Sequence, residues 1–66
     1  MSAYQKITYA RRDFHEDWLD RVQYKGEANT AARRRERWVE FVEALRAMGL
    51  ISDGLARGFT FRGPGI

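Results

Sequence analysis

The chain has 66 residues, no cysteine and a net charge of +3. It is therefore read as one small domain that neither disulfides nor a thiolate zinc site can staple. With a single histidine, His15, a structural metal site is a poor fit as well, and no cofactor or metal is expected. A chain of this size buries only about 60% of its unfolded surface. Two Trp, three Tyr and four Phe must supply most of the core, with a homodimer as the default way of completing it. No apolar run approaches the roughly 18 residues of a membrane span and no signal-peptide pattern opens the chain, so the expectation is a cytoplasmic protein without a membrane partner.

In chain order, "YQKITYAR" sets Ile7 and Tyr9 in alternation, which predicts a strand over Gln5–Ala10. "DFHEDWLDRVQYKG" predicts a first helix, with Asp13 as cap and Glu16 completing a capping box. Phe14, Trp18 and Val22 form its apolar stripe with Leu19 beside them. Asp17 is spaced to pair with Arg21, and Gly26 is the expected stop.

"NTAARRRERWVEFVEALRAMG" predicts a second helix, antiparallel to the first, capped by Asn29 or Thr30 and stopped at Gly49. Trp38, Phe41, Val42, Leu45 and Met48 share one face. Glu36, Glu40 and Glu43 lie largely opposite, near Arg33, Arg37 and Arg46. The alternation in "GFTFRG" predicts a terminal strand at about 58–62, pairing either with Leu50–Ser52 as a hairpin or with the N-terminal strand. The expected fold is therefore α+β: one compact domain over residues 1–62 and a flexible tail at 63–66.

Charge is distributed in blocks. Residues 1–12 carry +3, residues 13–20 carry −4 and residues 21–35 carry +4. Four arginines, Arg33, Arg34, Arg35 and Arg37, fall within five positions where the second helix begins. A helix N-terminus is the positive end of the macrodipole, the least favourable place for cations. A bound anion would relieve this, because guanidinium forks and free helical N–H groups both bind phosphate. A solvated face balanced by Glu36 and Glu40 would relieve it too. On the wheel Arg33 and Arg37 point outward, and Arg34 falls on the edge of the apolar stripe.

Two local likenesses bear on the cluster. "TAARRRERW" resembles the arginine-rich motif of lambdoid N-type antitermination proteins, a short helix that binds an RNA hairpin. That motif folds only on its RNA, whereas here the helix runs on into the apolar stripe Trp38–Met48. "FVEALRAMGLISDGLARGFTFRG" is similar to the end of a winged helix-turn-helix. That likeness implies a recognition helix carrying Arg33, Arg34 and Arg37 into the major groove, with Arg57 in a wing tip and Arg62 near its base. The chain departs from it in having two clear helices rather than three, and a loose turn at "KGEAN".

Two other groups carry a signal. Asp13, His15, Glu16, Asp17 and Asp20 read as a capped, solvated acidic face rather than a metal site, because His15 is expected to point with the apolar face. Glu16, Asp17 and Asp20 could dock a basic protein surface. Tyr4, Tyr9, Phe59 and Phe61 are expected mainly in the core, one exposed ring being compatible with base stacking. No cysteine nucleophile and no glycine-rich phosphate loop is present, so no enzyme is expected. The leading expectation is a small DNA- or RNA-binding protein that uses Arg33, Arg34, Arg35 and Arg37 with Arg57 and Arg62. The competing one is a protein-interaction module, such as a phage-type inhibitor or adaptor on a larger protein. The position of the acidic stretch relative to the arginines discriminates between them.

Overall fold

The computed structural model describes residues 2–65, and every regular element there is a helix. Helix α1 runs over Ala3–Tyr24, α2 over Ala31–Ala47 and α3 over Asp53–Arg62. This overturns the α+β expectation: among the described residues no strand exists, and both predicted strands lie inside helices.

The first correction concerns Gln5–Ala10. Ser2, not Asp13, caps α1; its side chain accepts from Gln5 N (3.2 Å), and Gln5 Oε1 accepts from Ser2 N (3.1 Å), closing a capping box. Asp13 and Glu16 are mid-helix. Ile7, Ala10, Phe14 and Trp18 are all buried, a stripe at spacings of three and four that extends the predicted one toward the N-terminus. Ile7 and Tyr9, which would share one face of a strand, separate: Ile7 is buried and Tyr9 is 43% exposed.

The same physics removes the terminal strand. Ser52 caps α3 by accepting from Leu55 N, and Asp53 sits in the first turn, where the dipole favours an acid. Phe59 is buried whereas Phe61 is 88% exposed, the split that two residues' separation gives on a helix. Leu50–Ser52 therefore has no hairpin partner, and the wing implied by the winged-helix likeness is absent from the described residues.

The remaining helix boundaries follow the sequence. Thr30 caps α2 by accepting from Arg33 N, α1 stops short of Gly26, and α2 stops short of Gly49. At about 1.5 Å per residue, the 22-residue α1 spans the 33 Å long dimension of the molecule. Helix α2 packs antiparallel to both neighbours. Phe14 of α1 meets Trp38 edge-on at 5.3 Å and Phe41 at 5.7 Å. On the other side of α2, Trp38 Nε1 donates to Phe59 O of α3 at 2.8 Å, and Arg46 faces Asp53 at 3.6 Å. Trp38, fully buried, is thus the residue on which both flanking helices close. Val22, Phe41 and Leu45 are half-buried around this core, whereas Leu19 and Met48 are exposed.

Residues 63–65, within the segment expected as a tail, are bonded to the helices. Gly63 is buried, its carbonyl accepting from Arg11 Nε at 3.2 Å, and Gly65 O accepts from Arg34 Nη1 at 3.0 Å. The last residue of the expected tail, Ile66, lies outside the described residues.

Candidate nucleic-acid interface

The arginine cluster divides in two as α2 turns. Arg33 and Arg37 face the outer α1–α2 seam, where carboxylates meet them. Arg33 pairs with Glu36 (3.0 Å), and Arg37 pairs with both Glu40 (2.9 Å) and Glu27 (2.8 Å). The hydrogen bond from Arg37 holds the Glu27 carboxyl below its ordinary pKa, and the two glutamates in return make the guanidinium harder to deprotonate. Asp17 pairs with Arg21 (2.8 Å) and lines the same crevice as Arg37 and Glu40. Asp17 of the acidic stretch therefore lies beside this half of the cluster, whose arginines are matched by glutamates. Glu16 and Asp20, also candidates for docking a protein, are exposed on α1.

Arg34 and Arg35 turn the other way, toward the end of α3. Arg34 is half-buried, with its guanidinium 5.5 Å from the centre of the Phe14 ring, as the helical wheel anticipated. A methyl group built on Gly63 would stand 2.8 Å from Arg35 Nη1. Arg62, exposed, is the last residue of α3, and Arg11 of α1 reaches the same place through Gly63 O. Because α2 and α3 are antiparallel, the positive N-terminal end of α2 abuts the C-terminal end of α3. Its carbonyls and partial negative charge offset the cost of placing cations there.

A neutral carbonyl orders Arg11 without cancelling its charge. Among the described residues, Arg11, Arg35, Arg57 and Arg62 form no ion pair with a carboxylate. Of these, Arg35 and Arg57 line a groove of about 740 Å³ between α2 and α3, with Val39, Val42 and Phe61 beside them and Glu43 and Asp53 at its far end. Arg11, Arg12 and His15 line a separate crevice against Pro64 and Gly65. His15 is exposed there rather than turned with the apolar face, and among the described residues no three potential metal ligands come together.

Sequence reasoning missed two parts of this site. Arg11 carries no role in a reading that makes Gln5–Ala10 a strand, although its position next to the Ile7–Ala10–Phe14 stripe is the available signal. The Glu27–Arg37 pair joins a loop to a helix ten positions on, a separation for which no periodic rule exists. Among the described residues no helix is long and apolar enough to cross a membrane. Compared with protein-family models, curated proteins and solved structures, the chain has no match.

Proposed function

We propose that the chain is a small, non-catalytic nucleic-acid-binding protein of the transcriptional or recombination accessory type, acting in the cytoplasm. Arg35, Arg57 and Arg62 take the phosphate backbone, and Arg11 adds fixed positive charge behind them. One observation carries this reading. Arg11, Arg35, Arg57 and Arg62 meet no carboxylate among the described residues, whereas Arg33 and Arg37 on the α1–α2 seam are matched by glutamates. The interface thus moves from Arg33 and Arg37, which neutralise Glu36, Glu27 and Glu40, to their neighbours one face round. Each phosphate neutralised releases counterions, so binding should weaken with salt at a log–log slope near −0.7 per contact on a single strand and −0.9 on a duplex.

The test is fluorescence anisotropy with labelled oligonucleotides across a salt series. Arg35→Ala/Arg57→Ala/Arg62→Ala should flatten the slope by about two units on single strands, while Arg33→Ala/Arg37→Ala leaves it unchanged. A triple variant that binds with wild-type affinity and slope would refute the reading. A second reading, an interaction module on a larger protein, draws on the exposed Glu16 and Asp20 of α1 and the exposed apolar Met48 and Leu50. A stoichiometric protein captured from lysate and released by Glu16→Lys/Asp20→Lys, with no oligonucleotide bound, would favour it.

A further inference from the structure

We infer that the α2–α3 groove takes a single-stranded nucleic acid, stacking an unpaired base on Phe61 while Arg35 and Arg57 hold the flanking phosphates. The inference rests on the nucleic-acid reading above and names its substrate class.

Phe61 is the most exposed large apolar side chain among the described residues, at 88%. Fold stability does not account for it, because at this exposure nearly all of the gain from burying a phenyl ring is forgone. Its surroundings are specific. Arg57 precedes it by one helical turn, at i−4 on the same face of α3. Across the groove α2 repeats the pattern, with Arg35 one turn before Val39, itself 41% exposed. Two guanidinium-plus-apolar pairs thus face each other over a floor of Val42 and Ala56. Charged rims track a backbone, and an exposed ring supplies a π-face that any base can use.

The far end of the groove is closed to phosphate. There Arg46 is bonded to Glu43 and faces Asp53 at 3.6 Å, so its charge is already matched and two carboxylates stand beside it. The footprint is confined to the Arg35–Phe61 half, enough for a few nucleotides. A ring can stack only on a base whose face is free, and inside a duplex that requires the base to be unstacked first. A single strand presents its bases free.

The experiment compares a labelled oligothymidylate of about a dozen nucleotides, within the known range of single-strand site sizes, with a duplex of equal length. Wild type, Phe61→Ala, Phe61→Trp and the Arg35/Arg57/Arg62→Ala triple variant are titrated at matched salt. The expected result is tighter binding to the single strand. Phe61→Ala should lose about 5- to 150-fold with an unchanged salt slope, since one stacked base is worth about 1–3 kcal/mol. Phe61→Trp should restore the affinity. At this exposure Phe61→Ala should melt like wild type, so the loss cannot be a folding defect. If Phe61→Ala binds the single strand as wild type does, or if the duplex binds equally well, the stacking inference falls while the arginine reading stands. If neither nucleic acid binds wild type, both fall.

Discussion

Trp38→Phe tests the closure of the three helices at one side chain. The substitution removes two things. The indole N–H donates to Phe59 O at 2.8 Å inside the core, a bond worth about 0.5–1.5 kcal/mol net. The acceptor is not orphaned, because Gly63 N also donates to Phe59 O at 3.0 Å. The second loss is roughly 40 Å³ of ring from a fully buried position, which at about 24 cal/mol per Å³ costs about 1 kcal/mol. The expected total is about 2 kcal/mol, a large share of the roughly 3–10 kcal/mol available to a domain of this length. Tm should fall by about 8–16 °C, given 4–8 °C per kcal/mol for small domains. Trp18→Phe is the control, since the Trp18 ring is also buried but its N–H makes no hydrogen bond among the described residues. It should lose only the packing contribution, about half as much. Urea and thermal unfolding followed by far-UV circular dichroism measure both variants. Equal losses would refute the assignment of a stabilising bond between α2 and α3 at this position.

Two further expectations follow from backbone and charge. At Gly58, mid-α3, an added methyl group would meet nothing within 4 Å, whereas Gly63 lies at φ +78 and ψ −178, a region open in practice only to glycine. Gly58→Ala should therefore raise stability by about 0.4–1 kcal/mol, and Gly63→Ala should lower it by about 1–3 kcal/mol; urea midpoints moving in the same direction would refute this. Glu27 and Glu43 are held below the ordinary glutamate value by their hydrogen bonds from Arg37 and Arg46. Depressed carboxylate pKa values give stability that is complete above the unfolded value of about 4.3 and lost as pH falls through the folded values. Tm should hold from neutral pH to about pH 5 and then drop, with a shallower acid limb in Glu27→Gln; an unaltered limb would mean that the pair is not coupled to folding.

Helix α2 was legible in its cap, its stop and most of its buried face because a long amphipathic pattern leaves little choice. The two terminal segments were not, for a shared reason. Ile7-x-Tyr9 and Phe59-x-Phe61 each satisfy a period of two, and three or four residues are too few to separate that period from 3.6. The deciding information lay further along the chain, in Ala10 and Phe14 downstream of Ile7 and in Ser52, Leu55 and Ala56 upstream of Phe59. The site shows the same limit. Arg33 and Arg37 could be matched with glutamates by helical spacing, and Arg34 could be put on the stripe's edge. The approach of Arg11 and Arg35 to Gly63 depends on how three helices pack and is not written in any local pattern.

Helix α3 has ten residues and two glycines, Gly54 in its first turn and Gly58 in its interior. Helices this short are marginal on their own, and an interior glycine costs about 1 kcal/mol relative to alanine. What keeps α3 in place is its seat on α2, through Ala56, Phe59 and the Trp38 bond. By length and composition it is the least self-supporting of the three helices, and its amides should exchange with solvent sooner than those of α1 or α2. Arg57, Phe61 and Arg62 ride on that helix. A ligand that grips them also fastens α3 to the rest of the chain, so occupancy of the groove would be recorded as slower amide exchange there.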